Sequence, residues 1–135
     1  MPQELAWRDG KGFARRFFQD VQDLLWLHAG PIRNGESLRE GLDKAAAMET
    51  QLAEHKAEKF SMERDALAGC LLVSKAIMRA SLEREESRGA HYHEDFTRGD
   101  DTVWFKNIDL HLDRERRDLV VSYSDLPRQQ REMRR

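Results

Sequence analysis

Three consecutive segments of this chain carry apolar side chains at intervals of three and four residues, and this pattern limits the fold more than any other feature. Such spacing places the apolar side chains on one face of an α-helix. An alternating apolar and polar pair of segments follows near the C-terminus, and this alternation is typical of half-buried strands. The sequence therefore predicts a mainly α fold, a helical bundle with a small β-hairpin.

The first helix is predicted over residues 12 to 28. Its apolar positions are Phe13, Phe17, Val21, Leu24, Leu25 and His28. Phe18 and Trp26 widen this face, which suggests contacts on more than one side. Gly30 and Pro31 end the helix, because Pro cannot continue a helix and Gly tolerates the left-handed conformation that often follows one.

The second helix is predicted to begin near Glu36 and Ser37. Ser37 followed by Glu40 fits a capping box, in which each side chain binds an exposed amide of the first turn. One face carries Leu38, Leu42, Ala45, Ala46, Glu49, Leu52 and Ala53. The abundant Ala residues favour close packing against a neighbouring helix.

The third helix is predicted over residues 61 to 86, with Gly89 stopping it. This is the most apolar segment, so we expect it to be the central helix. Its stripe is Met62, Ala66, Gly69, Cys70, Val73, Ile77, Ala80, Ser81 and Arg84. Gly69 costs about 1 kcal/mol relative to Ala in a helix interior, and a close approach between helices would explain its presence.

The C-terminal third is predicted to form a loop and a hairpin. Residues 108–112 and 119–123 are the two strands, and the charged residues 113–118 are the solvated connection. We expect a lead-in over residues 1–12, the three-helix bundle over 13–88, the loop and hairpin over 89–124, and a disordered basic tail over 125–135.

Composition excludes several classes of function. A formal net charge of −2 gives no global field that attracts nucleic acid. The sequence has no apolar run of about 18 residues, which a membrane-spanning helix would need, and the N-terminus does not resemble a secretory signal. Cys70 is the only cysteine, so we expect a reducing, cytoplasmic setting and a small, buried, unreactive thiol.

Familiar cofactor motifs are missing from the sequence. It contains no GxGxxG pattern, no P-loop and no CxxC pair. His91, His93, Glu94 and Asp95 lie close together, and imidazoles and carboxylates are ordinary metal ligands. A metal-binding or small hydrolytic site there is the least favoured interpretation, since an HxH pair in a loop is a weak signal.

Residues 84–96 read REESRGAHYHEDF, the most specific pattern in the chain, and we call them the signature segment. They closely resemble the REESRGAHYREDFP motif of the C-terminal domain in succinate dehydrogenase, fumarate reductase and L-aspartate oxidase flavoproteins. Residues 98–106 (RGDDTVWFK) resemble the RDDENWLKH motif of that family. The LLW and GPIR runs at residues 24–33 resemble its LMW…GIVR pattern, and residues 71–82 resemble its central helix. The resemblance covers residues 13–124.

This resemblance implies a spectrin-repeat-like three-helix bundle followed by a small β-hairpin extension. In the family, FAD lies in a preceding dinucleotide-binding domain, and a capping domain closes over the dicarboxylate. The catalytic residues belong to those domains. We therefore expect no catalytic, cofactor-binding or metal-binding residue in this chain, and FAD only in the parent enzyme. The substrate and the direction of the parent reaction stay open.

The expected role is an accessory domain that docks on the flavin-binding domain of the parent chain, with an iron–sulfur subunit as a further candidate partner at the cytoplasmic face of the membrane. The expected docking residues are Arg88, His91, Tyr92, Glu94, Asp95 and Trp104. Arg88 offers a planar fork for carboxylates or carbonyls. The equally weighted alternative is that the polar groups of this loop only fix it inside the domain.

The chain departs from the family pattern at His93, Thr97 and Val103, where Arg, Pro and Asn are common, and Gly99 is an extra loop residue. Two alternatives stay open: a stand-alone helical interaction module, and the C-terminal domain of an L-aspartate oxidase. Phe17, Phe18, Trp26 and Trp104 supply more large apolar area than a short three-helix core needs. We therefore expect an apolar patch through which the isolated domain forms a homodimer or packs on another surface. The alternative is that these aromatic side chains fill the internal core.

Overall fold

The computed structural model of the protein describes residues 11–55 and 62–126. Its elements in chain order are α1 (Lys11–Ala29), β1 (Ile32–Arg33), α2 (Gly35–Glu54), α3 (Met62–Glu83), β2 (Tyr92–His93), β3 (Lys106–Asp113) and β4 (Asp118–Asp125). The three helices pack against one another in pairs, and β3 contacts α3. The predicted helical bundle with a small hairpin is confirmed. Most of the predicted lead-in and tail lies outside the described residues, and the predicted domain boundaries stay a prediction.

The core lies between the three helices. Its buried apolar members are Phe17, Val21, Leu24, Ala29, Leu38, Ala45, Leu52, Leu67, Leu71 and Met78. The predicted inner face of α1 is confirmed, since its members are buried or packed against this core. Cys70, predicted to be a small buried hydrophobe, is free and partly buried against the same core. No helix of the described ranges is both long enough and apolar enough to cross a bilayer.

The predicted inner face of α3 is largely wrong. The residues buried against α1 and α2 are Leu67, Leu71, Ser74, Met78 and Ser81. In contrast, Val73 is 59% exposed and Ile77 is 37% exposed. The helix is apolar on two adjacent faces, and the face with two Leu and one Met removes more apolar area from water than the face rich in Ala and Gly.

We call the exposed face the outer face of α3. It consists of Ala66, Gly69, Val73, Ile77 and the half-buried Ala80. Its members recur at three- and four-residue spacing, so they form one stripe along the helix. Exposed charged residues of α3, such as Asp65 and Arg79, lie outside it.

Two predicted helix ends also differ. Asn34, not Ser37, caps α2: it has an extended backbone (φ −144°, ψ 160°), and its side-chain oxygen accepts the Ser37 amide at 2.8 Å. The Ser37 hydroxyl instead lies 3.0 Å from His28 Nδ1. Asn caps a helix about as well as Ser, and its position one residue before Gly35 decides where α2 begins.

The end of α3 lies at Glu83, three residues before the predicted end at Glu86. Gly89 therefore does not stop the helix. It has φ 58°, a left-handed conformation that glycine adopts without strain, and it lies in the turn where the Arg88 and His91 backbones hydrogen-bond each other at 2.8 and 3.0 Å.

Close helix approach occurs at Gly41 rather than at Gly69. A Cβ atom on Gly41 would lie 2.6 Å from His28 Cβ and 2.6 Å from Met78 Sδ, so α2 touches both α1 and α3 there. A Cβ atom on Gly69 would meet nothing within 4 Å. The predicted packing role of Gly69 is wrong, and Gly41 was missed.

Two small strand pairs complete the fold. The predicted hairpin is confirmed: β3 and β4 are antiparallel, with Ile108 opposite Tyr123 and Leu110 opposite Val121. The second pair was not predicted. β1 and β2 are parallel, with Ile32 opposite Tyr92 and Arg33 opposite His93. This pair joins the α1–α2 connection to the signature segment.

We predict opposite effects of the same substitution at the two helical glycines. Gly41→Ala should lower the free energy of unfolding by about 1–3 kcal/mol, because the new methyl group overpacks the contact with His28 and Met78. Gly69→Ala should raise it by up to about 1 kcal/mol, because Ala favours the helix and the space is open. Urea unfolding followed by circular dichroism measures both. A stabilising Gly41→Ala would contradict the packing described.

Candidate functional site

A buried carboxylate organises the first part of the signature segment. Glu86 is fully buried. It accepts hydrogen bonds from Arg84 Nη1 at 2.7 Å, from Arg88 Nε at 2.8 Å and Nη2 at 3.0 Å, and from the Asp100 amide at 2.8 Å. We call Glu86, Arg84, Arg88 and Asp100 the Glu86 cluster. Both carboxylate oxygens of Glu86 thus accept hydrogen bonds.

Glu86 and Arg88 stay charged at neutral pH. Burial alone would raise the pKa of Glu86, but hydrogen bonds from Arg88, Asp100 and Arg84 outweigh it and hold the pKa below its usual range. Hydrogen bonds to Glu86 and to Asp101 raise the pKa of Arg88 above its already high value. The buried acid is therefore ionised and compensated, the condition under which a buried charge is tolerated.

Arg84 extends the Glu86 cluster to the hairpin. Its Nη1 donates to the Trp104 carbonyl at 3.1 Å, and its Nη2 donates to the Lys106 carbonyl at 2.8 Å. Its guanidinium carbon lies 5.6 Å from the centroid of the Trp104 ring, within the range of a cation–π contact. Trp104 is buried at 8% exposure. These contacts fix the start of β3 against the end of α3.

His91 is held between two arginines. Its Nε2 lies 3.1 Å from the Arg84 carbonyl, and its Nδ1 lies 3.0 Å from Arg33 Nη1. A carbonyl can only accept, so Nε2 carries the proton and Nδ1 accepts from the guanidinium. Burial lowers the pKa of His91; the hydrogen bond to Arg84 opposes this shift, and the charge of Arg33 adds to it. His91 is therefore neutral at neutral pH.

Arg33 links this histidine to the end of α1. Its Nε donates to the Gly30 carbonyl at 2.9 Å, and its Nη1 donates to Ser81 Oγ at 3.1 Å. The last carbonyls of a helix lack partners within the helix, so a cation here satisfies them and suits the negative end of the helix dipole. Burial lowers the pKa of Arg33.

Two acids fix the signature segment to the start of α2. Asp95 Oδ2 accepts the Gly35 amide at 2.8 Å, and Glu94 Oε2 accepts Asn34 Nδ2 at 3.0 Å. The Glu94 amide donates to the Arg33 carbonyl at 2.7 Å. Carboxylates at a helix N-terminus are favoured by the exposed amides and by the helix dipole.

His93 is the most buried histidine, at 1% exposure. Its Nδ1 accepts the Asp95 amide at 3.3 Å, and its ring packs against Phe96 with centroids 5.1 Å apart. Within residues 11–55 and 62–126, its Nε2 is the one buried side-chain nitrogen or oxygen without a hydrogen-bond partner. In that same part of the chain, no three His, Cys, Asp or Glu side chains are placed to hold a metal ion.

The predicted docking residues lie close together but differ in availability. Arg88, His91, Glu94 and Asp95 bind other parts of the chain, as given above, and Trp104 is buried. Tyr92 is 44% exposed, on the outer side of β2. The contacts of the first five agree with the alternative that they fix the loop inside the domain, and the docking role of all six stays a prediction.

Sequence reasoning missed Glu86, Arg33 and Asn34. Glu86 was assigned to the end of a helix, although an acid two residues from an arginine on either side is a usable signal for an ion-pair cluster. Arg33 and Asn34 lie just after Gly30 and Pro31, where no functional residue was predicted. Their partners lie about sixty residues away, so no local pattern identifies them.

The chain matches the family described as fumarate reductase flavoprotein C-term over residues 18–134. It is 39% identical to the L-aspartate oxidase of Pyrococcus furiosus over 57% of this chain and 13% of that protein. It is 29% identical to the L-aspartate oxidase of Streptomyces coelicolor over 79% of this chain and 19% of that protein. It is 32% identical to a fumarate reductase flavoprotein subunit of Mycobacterium tuberculosis over 68% of this chain and 17% of that protein.

A solved structure shares the fold. A mutant of the FrdA chain of E. coli quinol fumarate reductase superposes with a TM-score of 0.73 and 21% sequence identity, over 84% of this chain and 21% of that chain. The chain thus spans about a fifth or less of the length of each of these proteins.

We predict that Glu86→Gln destabilises the domain. The substitution leaves Arg84 and Arg88 without their shared anion, and breaking a largely buried ion pair in this way costs about 3 kcal/mol. Glu85→Gln is the matched control, because Glu85 is exposed and should change the free energy of unfolding by less than about 0.5 kcal/mol. Urea unfolding of both variants measures the difference. Equal stability of the two would show that the Glu86 cluster contributes no more than a surface charge.

We predict that the domain loses stability as the pH falls below about 6.5, the ordinary pKa of histidine. The pKa of His91 is lower in the folded chain than in the unfolded chain, so acid favours the unfolded chain. Glu86 adds a further loss below about pH 4.3, because its folded pKa is also lowered.

His91→Gln should reduce the loss of stability that begins below about pH 6.5. Gln can accept a hydrogen bond from Arg33 and donate one to the Arg84 carbonyl, but it does not titrate. His111→Gln is the matched control, at an exposed position of β3 where the ring lies 2.8 Å from Ser122 Oγ. The free energy of unfolding across this pH range tests both variants. If the free energy of unfolding of His91→Gln depends on pH as steeply as that of the unsubstituted chain, another group controls this pH dependence.

Proposed function

The chain belongs to the family of fumarate reductase flavoprotein C-terminal domains, and on that premise we propose that it is the accessory C-terminal domain of an FAD-dependent dicarboxylate oxidoreductase. In this proposal it docks on the flavin-binding portion and takes no part in catalysis alone. One observation carries the proposal: the family match runs through residues 18–134, whereas the chain spans only 13% to 19% of its curated relatives. Those relatives are several times longer.

The outer face of α3 is the docking surface that we propose, because it is exposed and apolar. It presents Val73 and Ile77 to solvent, and its five members carry no charge. Exposed apolar patches on soluble domains commonly mark contact sites. The flavin-binding portion of the parent enzyme is the occupant we assign to it, since more than four fifths of each curated relative lies outside the match.

A second set of exposed apolar side chains supports a docking surface that extends beyond the outer face of α3. Trp26 is 71% exposed and Leu27 is 68% exposed, both in the last turn of α1. Ile32 on β1 is 64% exposed and lies opposite Tyr92 on β2. Among the predicted docking residues, Tyr92 therefore has an exposed ring that a partner can contact. The other five hold in place the segment that carries Tyr92.

In this proposal FAD binds only in the parent, and the redox step is supplied there. An iron–sulfur subunit is a further partner if the parent is a succinate dehydrogenase or fumarate reductase at the cytoplasmic face of the membrane. An L-aspartate oxidase parent is the second candidate, favoured by the 39% identity to the Pyrococcus furiosus enzyme.

We predict that the chain copurifies with an FAD-loaded flavoprotein from which the matching C-terminal portion has been deleted. The fumarate reductase flavoprotein subunit of Mycobacterium tuberculosis and the L-aspartate oxidase of Streptomyces coelicolor are suitable hosts. Size-exclusion chromatography with absorbance in the flavin region should show one complex of the two chains. The isolated chain should show no flavin bands after dialysis and no dicarboxylate oxidoreductase activity.

Val73→Glu should weaken this complex at least tenfold, because it places a charge in an apolar seam, while leaving the fold of the exposed helix intact. Ala68→Glu is the matched control: Ala68 is exposed on the same helix, about 140° around its axis from Val73. Separate elution of the chain from both hosts, together with self-association, would favour the stand-alone interaction module instead.

A further inference from the structure

An open cleft of 460 Å³ lies between the end of α3, β3 and the segments that carry β1 and β2. Arg33, Ser81, Arg84 and His91 line one part of it, and Asn107 and Asp109 line the other. The lining is thus mostly polar, with Ala80 and Ile108 as its apolar members, and two arginines line a volume large enough for a small ligand group. The cleft adjoins the outer face of α3 at Ala80, which also lines it.

Both arginines have donors left over. Arg33 uses Nε and Nη1 in its hydrogen bonds, and Arg84 uses Nη1 and Nη2. Arg33 Nη2 and Arg84 Nε have no hydrogen-bond partner in the described part of the chain, and neither is among its buried unpartnered atoms. These N–H groups are therefore reached by water, and a ligand can replace that water.

The same contacts hold the two guanidinium groups in place. The Gly30 carbonyl, the Ser81 hydroxyl and His91 fix Arg33, while the Trp104 and Lys106 carbonyls fix Arg84. Long cationic side chains normally lose conformational freedom when they bind a ligand. Here the two arginine side chains are already ordered in the folded chain, so their N–H donors lose little further freedom when a ligand binds.

The local charge favours a ligand with one negative charge. His91 is neutral, Asp109 brings one carboxylate, and the two guanidinium groups exceed it by one positive charge. Glu86 offsets Arg84 from its other side, which further limits the attraction for a dianion. A planar carboxylate, which accepts from guanidinium N–H groups through two oxygens, fits both the charge and the donors.

We propose that this cleft binds one carboxylate group between Arg33 Nη2 and Arg84 Nε. The carboxylate comes either from an acidic side chain of the docked flavin-binding portion or from a free small carboxylic acid. The first source rests on the proposed function, whereas the site itself does not. Asp109 at the rim weakens the site and sets its preference for a monoanion.

The test is a titration of the full chain with acetate at neutral pH and constant ionic strength, followed by NMR of the arginine side-chain N–H signals. Saturable shifts of Arg33 and Arg84 are expected, with a Kd on the order of 10 mM for so small a ligand. Inorganic phosphate should bind more weakly. No saturable shift, or tighter binding of phosphate than of acetate, would overturn the proposal.

Two variants locate the site without removing an arginine. Ala80→Glu places a carboxylate at the cleft wall and should weaken acetate binding at least tenfold, whereas Ala68→Glu on the same helix should not. Asp109→Asn removes the repelling charge and should tighten binding roughly fivefold, whereas Asp43→Asn, at an exposed position of α2, should not. Acetate binding that is unchanged in both Ala80→Glu and Asp109→Asn would place the ligand elsewhere and refute the assignment.

A second titration, on the complex with the flavin-binding portion, distinguishes the sources. Loss of acetate binding in the complex identifies a partner side chain, and retained binding identifies a free carboxylic acid; both outcomes support the site. The two proposals fail separately. A chain that binds acetate but not the flavoprotein overturns only the docking proposal, and a chain that binds the flavoprotein but not acetate overturns only the cleft.

Discussion

The ion pairs of Glu86 are the interaction on which the C-terminal half of the domain depends. A fully buried carboxylate is tolerated only with compensating charge and complete hydrogen bonding, and here Arg84, Arg88 and the Asp100 amide supply both. Arg84 and Arg88 flank the acid within the signature segment, and the Asp100 amide comes from the loop that follows this segment. Satisfying one acid therefore fixes the end of α3, the turn at Gly89 and the loop before the hairpin against one another.

The other end of the signature segment depends on helix termini. Arg33 binds the carbonyls of Ala29 and Gly30 at the end of α1 and holds His91, while Asp95 binds the first amide of α2 at Gly35. Arg33 thus satisfies the end of α1, and Asp95 of the signature segment satisfies the start of α2. The side chains of the signature segment thus mostly serve the domain itself, and the docking proposal assigns the partner contacts to Tyr92 and to apolar faces that no motif marks.

Periodicity predicted the three helices and the hairpin because each depends on local spacing. It did not predict which face of α3 is buried, since Leu71 and Val73 belong to two apolar faces of one helix and only the packing of α1 and α2 chooses between them. Asn34 displaced Ser37 as the cap for a similar reason, because two good capping residues lay three positions apart. The roles of Glu86 and Arg33 depend on partners brought close by the fold, and these were beyond any local pattern.

The pairing of β1 with β2 closes a ring of chain. Gly35 and Asp95 are sixty residues apart in sequence, and α2 and α3 lie within the ring. Closing a loop of this length costs chain entropy that a short turn does not, so contacts between sequence neighbours form earlier. The helical hairpin of α2 and α3 can therefore assemble before the signature segment locks onto Asn34 and Arg33. Hydrogen exchange of the Glu94 amide, which binds the Arg33 carbonyl, therefore reports on the opening of this ring.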